Sequence, residues 1–230
     1  MADETQIDSH EREVAQDLLK DFAADSSVTP EIVYKLSWER YIFLENEVPV
    51  LSTMLKEFKS GNKENYQFEF FDLPLILHHY IYSGLYTFAG RYRSEDDPSS
   101  GNIFFGKVKG HNRSPEFSGT ISSGIGEEIL ESISRLIEPD PDDPLLKAAV
   151  FYQNFVKTHP FYDGNGRLAR LIANIYLFDF GLTINWSEFD SKPGFVRKLN
   201  WCHKAGTQKA LMTYAEYIRK FTINLDSLES

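Results

Sequence analysis

The stretch His159-Pro-Phe-Tyr-Asp-Gly-Asn-Gly-Arg-Leu-Ala-Arg170 decides how this chain of 230 residues is read. A proline-containing turn runs into Gly164, Asn165 and Gly166, and an apolar segment follows to about Phe180, where Gly181 closes a helix. Glycines at such a start let successive N–H groups point at one spot, and the helix N-terminus adds partial positive charge. Arg167 and Arg170 are three apart and leave the same side of the first turns. Two cations at the positive end of a helix are unfavourable by roughly 0.3–1 kcal/mol each, which a bound anion would offset. Two arginines with unpaired N–H groups suit several phosphates. Asp163 beside them could hold Mg²⁺ against phosphate oxygens. His159, four residues before Asp163, suits the role of general base for a hydroxyl nucleophile. Each residue alone also fits an ordinary turn or a surface charge; the whole set within twelve positions points to phosphate chemistry.

Outward from this loop the punctuation is helical. Asp8 with Glu11 reads as a capping box for a helix to about Ala24. Thr29-Pro30-Glu31 opens a second helix that turns Ile32, Val33, Leu36 and Ile42 inward and ends near Glu45-Asn46, with Pro49 as the stop. A short helix fits Leu51 to Phe58, and Ser60-Gly-Asn-Lys-Glu-Asn65 reads as a linker. Asp72-Leu-Pro74 opens a helix to about Leu85. From Gly90 to Gly126 the chain is rich in Gly, Ser, Pro and charge, with Asn102-Ile-Phe-Phe105 as one credible strand, half of a small hairpin. Helices resume at Glu127–Glu138, Pro144–Lys157, Gly164–Phe180, Phe195–Lys204 and Gln208–Phe221. The expected fold class is all-α with an irregular central insertion, divided into 1–65 and 66–230.

Composition narrows the function classes. Hydrophobic residues make up 42% and include 18 Phe and 12 Tyr, enough to build a core. The net charge of −10 argues against nucleic acid as a partner, although a local basic pocket for a nucleotide is still allowed. Cys202 is the single cysteine, which excludes an internal disulfide and a Cys-based metal cluster. The polar start and the lack of a long apolar run imply no secretory signal and no membrane span, so a cytoplasmic location is expected. The histidines are scattered, and His78 and His79, being adjacent, do not share a helix face.

The segment 159–170 resembles the signature of Fic (Fido) domain proteins, HPFx(D/E)GNGRxxR, at every defined position. Leu85-Tyr-Thr-Phe-Ala-Gly-Arg-Tyr-Arg93 resembles the run that precedes the flap in that family, and His78 fits the helix before it. The resemblance covers about 150 residues from Asp72 onward. It implies a Fic-type helical bundle with a small β-hairpin flap and an N-terminal helical extension. It further implies a protein adenylyltransferase that moves AMP from ATP to a Tyr, Thr or Ser hydroxyl, on a target protein or on itself. By this resemblance His159 deprotonates the hydroxyl and Asp163 holds Mg²⁺. Gly164, Asn165 and Gly166 form the anion nest, Arg167 contacts the departing phosphates, Arg170 binds the γ-phosphate and Phe161 anchors the loop. A phosphorylating branch carries Lys where this chain has Gly166, so the intact Gly-Asn-Gly favours AMP transfer, with UMP or GMP left open. The flap, about Asn102 to Phe117, is expected to pair with the target, and Phe104 or Phe105 to clamp the modified side chain.

Many Fic proteins carry an inhibitory helix with the pattern (S/T)xxxE(G/N), whose Glu pairs with the second arginine of the signature. One literal match is Ser60 to Asn65, with Glu64, on a segment poor in helix formers. The better candidate is Tyr41-Ile-Phe-Leu-Glu45-Asn46, on an apolar capped helix ahead of the core, where one inhibitory subclass places it. Tyr41 departs from the pattern at the Ser/Thr position. Two alternatives remain: removal of AMP by the same site, with Glu45 orienting water, and a helical interaction module without catalysis. Oligomeric state is open.

Overall fold

The structure is a computed structural model that describes residues 9–59, 70–105, 117–138, 142–191 and 195–225. An N-terminal trio comprises α1 (Ser9–Phe22), α2 (Pro30–Asn46) and α3 (Val48–Lys59). After α4 (Leu73–Tyr82), a turn-rich segment leads to the hairpin of β1 (Phe104–Phe105) and β2 (Phe117–Ser118). Then come α5 (Ile125–Ile137), α6 (Pro144–Thr158) and α7 (Asn165–Phe178). The chain closes with β3 (Leu182–Ile184), α8 (Trp186–Ser191), α9 (Phe195–Ala205), α10 (Gln208–Arg219) and β4 (Thr222–Asn224). β3 and β4 pair antiparallel, Leu182 opposite Asn224 and Ile184 opposite Thr222.

Helix α7 is the centre of the core. Leu168, Ala169, Leu171, Ile172, Ala173, Ile175, Tyr176 and Leu177 are all buried, so the helix is covered on nearly every side. Its main neighbours are α6 and α3. Asn174 ties it to the second hairpin: Oδ1 accepts from the Ile184 N–H at 3.0 Å and Nδ2 donates to the Ile184 carbonyl at 3.2 Å. The polar start of α7 therefore projects from a fixed rod.

The N-terminal trio is sewn to the core through backbone. Ala23 and Tyr86 form an isolated antiparallel bridge, Ala24 N–H donates to the Leu85 carbonyl at 3.1 Å, and Thr87 N–H donates to the Phe22 carbonyl at 2.9 Å.

Several sequence expectations need correction. On α2 the buried face is Val33, Ser37, Tyr41 and Leu44, while Ile32 and Ile42 are exposed. Two polar hydroxyls take inward positions that a hydrophobicity count assigns to isoleucine. Thr29 does cap this helix, accepting from the Ile32 N–H at 3.3 Å. Helix α2 ends at Asn46 as expected, and Pro49 just beyond it sits in the first turn of α3, where its missing N–H costs nothing. Asp72 precedes α4 without a side-chain cap bond, and α4 ends at Tyr82 rather than Leu85. Glu11 accepts from the Trp38 indole N–H at 3.0 Å. The pair β3–β4 and the short α8 were not expected. Asp8, the stretch from Ser60 to Asn65 and the flap residues 106–116 lie outside the described residues, as does the 65/66 boundary.

Candidate active site

Helix α6 ends at Thr158, and His159 takes a left-handed backbone, φ 52° and ψ 59°, with its N–H donating to the Phe155 carbonyl at 3.0 Å. For a side-chain-bearing residue this conformation costs roughly 1–2 kcal/mol and persists only where its surroundings over-determine it. They do so here. Arg93 Nε donates to the His159 carbonyl at 2.7 Å, and the Arg93 N–H donates to the Pro160 carbonyl at 3.0 Å. Phe161 is fully buried and stacks on His78 with ring centroids 3.9 Å apart. The Asn165 side chain reaches back to the same residue, accepting from the Phe161 N–H at 2.9 Å and donating to the Phe161 carbonyl at 2.8 Å. Asn165 thus closes the loop with its side chain, and its backbone N–H lies in the first turn of α7. Tyr162 OH donates to Asp97 at 3.1 Å.

Two glycines in the turn have different reasons to be glycine. Gly164 has φ 79°, and a Cβ there would lie 2.7 Å from the Tyr82 ring, so both backbone and packing demand it. Gly166 lies in the first turn of α7, and a Cβ there would meet open space. Nothing among the described residues requires its bareness. The N–H groups of Asn165, Gly166 and Arg167 have no intrahelical acceptor at this position.

His159 Nδ1 lies 3.2 Å from the Val156 carbonyl. A carbonyl only accepts, so Nδ1 carries the proton and Nε2 presents its lone pair. Burial lowers the imidazole pKa to about 4; Arg93 and His203 push the same way, while Val156 and Asp163 oppose them. The ring is neutral near pH 7. His78 is held neutral in the same way, lowered to about 3 by burial, with its Nδ1 accepting from the Gly90 N–H at 2.9 Å.

Asp163 Oδ1 accepts from the Gly164 N–H at 2.6 Å and faces Arg167 Nη2 at 3.4 Å, and the Tyr82 phenol is hydrogen-bonded to the same carboxylate. Among the described residues no cluster of three or more His, Cys, Asp or Glu could hold a metal. One carboxylate oxygen fits Mg²⁺, which keeps water and takes phosphate oxygens to complete its shell.

The two loop arginines diverge. Arg167 donates to Ser37 Oγ at 2.9 Å and to the Tyr82 hydroxyl, and its guanidinium lies over the Trp38 and Tyr82 rings at 5.2 and 5.4 Å. Arg170 lies over the Trp186 ring at 5.7 Å. Glu45, on the last turn of α2, is exposed as a residue, but its carboxyl is desolvated enough to raise its pKa; a hydrogen bond from Tyr41 and the charge of Arg170 oppose that rise. Tyr41 is buried, and its phenol pKa is raised by burial and by Glu45, against Arg170 and Arg167. A cavity of about 210 Å³ between α1, α2 and the loop has Glu11, Ser37, Asp163 and Arg167 on its polar wall.

The hairpin stands beside His159. Phe104 opposes Ser118 and Phe105 opposes Phe117. Phe104 is 65% exposed; the Phe105 side chain lies outside the described residues. The foot of the hairpin is bonded inward, Gly119 N–H to the Ile103 carbonyl at 3.0 Å and Thr120 N–H to the Thr158 carbonyl at 3.0 Å. Sequence reasoning missed Ser37, Trp38 and Trp186 as arginine partners and Arg93 as a brace. Only the long-range fold brings them to the loop, although Arg93 ends a run already singled out.

Residues 72–177 match the model of the Fic/DOC family. A Fido domain-containing protein of Dictyostelium discoideum is 31% identical over 98 residues, 43% of this chain and 60% of that protein. A protein adenylyltransferase and cysteine protease, IbpA, of Histophilus somni is 29% identical over 135 residues, 58% of this chain and 3% of that protein. The protein adenylyltransferase fic-1 of Caenorhabditis briggsae is 36% identical over 61 residues, 24% of this chain and 12% of that one. The chain therefore spans less than two thirds of the length of each of these curated relatives. A crystal structure of a Fic domain-containing signalling protein from Bacteroides thetaiotaomicron superposes with a TM-score of 0.54 at 18% identity, covering 95% of this chain and 88% of that one. The fold is the mostly helical Fic fold. Among the described residues no helix is long and apolar enough to cross a membrane.

Proposed function

We propose that this chain, whose residues 72–177 match the Fic/DOC family model, is a protein adenylyltransferase that transfers AMP from ATP to a hydroxyl side chain of a protein, restrained by Glu45. The observation that carries this reading is the start of α7. Gly166 faces open space without structural need, three N–H groups lack intrahelical acceptors, and Arg167 and Arg170 stand on the same turns. Asp163 would hold Mg²⁺ through its carboxylate, and that ion would neutralise charge on the nucleotide's phosphates.

His159 then acts on the target. Its Nε2 accepts the hydroxyl proton as the oxygen attacks the α-phosphorus; the bond to the β-phosphate oxygen breaks, and pyrophosphate leaves. A base with a pKa of about 4 is weak in the resting protein. Polyphosphate bound beside it raises that value toward working pH, so the base gains strength when its substrate is in place.

Glu45 competes for Arg170. Its carboxyl responds to the Arg170 charge and accepts a bond from Tyr41, whose phenol supplies the hydroxyl at the pattern's Ser/Thr position. Glu45→Gly is expected to raise incorporation of label from ATP carrying a radioactive α-phosphate, and His159→Ala is expected to abolish it in that background. Unchanged labelling by Glu45→Gly rejects the restraint. Absence of any Mg-ATP-dependent thermal shift in that variant rejects nucleotide transfer and leaves the non-catalytic module.

A further inference from the structure

Arg93 is 2% exposed. A buried cation normally sits against a carboxylate. Here the guanidinium instead donates to four main-chain carbonyls: His159 at 2.7 Å, Gly101, Thr120 at 2.9 Å and Thr158 at 3.3 Å. Asp97, the acid whose charge it feels, is held by both Nη atoms of Arg91 at 2.8 and 2.7 Å. The choice of acceptors has a physical cause. Thr158 and His159 lie at the end of α6, where carbonyls lack intrahelical donors and the helix dipole is negative. The other two acceptors belong to the turn before β1 and the foot of β2.

We propose that Arg93 is a positioning residue that holds the left-handed backbone of His159 and joins it rigidly to the foot of the β1–β2 hairpin. The inference rests on the role given to His159 above. One planar fork fixes the end of α6, the turn at Gly101 and the hairpin foot at once, which a lysine's single ammonium does not reproduce. The join leaves no spare room. A Cβ on Gly119 would lie 2.7 Å from Ile103 Cγ2, 2.9 Å from Arg93 Nη2 and 3.2 Å from His159 Cβ. Arg93 also contributes charge to His159, together with His203 in the same sense and Asp163 in the opposite one.

The test uses the full chain carrying Glu45→Gly. Arg93→Lys is expected to keep Mg-ATP affinity within about threefold while transfer at saturating ATP falls about 100-fold, the signature of a misplaced base rather than a lost binding contact. Gly119→Ala, which keeps the Arg93 charge, is expected to lower the rate about tenfold with the same unchanged affinity. Rates within about twofold of the parent, or affinity falling in step with rate, overturn the proposal. If Arg93→Lys does not fold, Gly119→Ala decides by the same criterion. If the parent transfers nothing, the assigned activity fails instead, and the His159 imidazole resonances decide. Gly119→Ala then displaces them if Arg93 positions the ring, and unchanged resonances overturn the role.

Discussion

The loop from His159 to Asn165 and the β1–β2 hairpin lie against each other and are held in opposite ways. The loop has an unfavourable backbone at His159 and a glycine-only backbone at Gly164, yet side chains from three directions fasten it: Arg93, His78 and its own Asn165. Among the described residues the hairpin pairs two residues on each strand, Phe104 stands mostly in solvent, and the foot is tied inward through Gly119 and Thr120. The proposed general base, His159, sits on the over-determined segment, and the exposed Phe104 sits on the hairpin.

The contrast can be broken most forcefully at Gly164. Gly164→Ala adds left-handed strain to a collision with Tyr82, and unfolding free energy is expected to drop by about 3–5 kcal/mol in urea titration. A loss below about 1 kcal/mol would show that the loop yields after all. Acid is the next lever. His78, His159 and His203 have pKa values lowered to about 3, 4 and 4, against 6.5 unfolded. Between those values the unfolded chain binds more protons, so the stability contributed by neutral histidines is lost as pH falls below 6.5. Urea midpoints should reveal a loss of about 2–3 kcal/mol from pH 6.5 to 5.5, and a flat profile would contradict the buried neutral rings.

Gly166→Ala separates fold from ligand. With open space at its Cβ position, alanine should stabilise by about 0.5–1 kcal/mol while weakening the thermal shift produced by Mg-ATP. Equal nucleotide response in both proteins would move the phosphate site elsewhere. Phe104→Ser should change stability least, by under about 0.5 kcal/mol, and leave nucleotide binding intact. Its effect should appear only in transfer to a protein target, and equal transfer would remove Phe104 from target docking.

Helices and their caps were legible where local chemistry decides them. Thr29 before Pro30 and Gly181 after α7 behave as the residues alone dictate, and Asp143 before Pro144 adds a cap of the same kind. Asp143 accepts from the Leu146 N–H at 3.1 Å. The helix-start logic also located the turn that carries the glycines and arginines. What stayed hidden depends on long-range placement. Ser37 meets Arg167 and Tyr41 meets Glu45 on the inward side of α2, so its apolar period was half a guide: Val33 is buried and Leu36 packs on the core, but Ile32 and Ile42 are exposed. The pair β3–β4 joins residues 182–184 to 222–224 across two helices, beyond the reach of any local pattern. Asn165 reads as one member of a glycine turn, and only the fold reveals it folded back on Phe161.

The backbone seam between the N-terminal trio and the core bears on how the proposed restraint by Glu45 would be released from Arg170. Ala24 and Thr87 donate to carbonyls on the opposite side of that seam. Their amide protons therefore exchange with solvent only when the seam opens, while motions confined to the end of α2 leave them protected. Release by a small displacement of α2 belongs to the microsecond-to-millisecond range of collective helix motion. Release by detachment of the whole trio would expose both amides and proceed at the slower rate of subglobal unfolding. The protein thus carries, at the joint between its N-terminal trio and its core, two amide clocks that tell these routes apart.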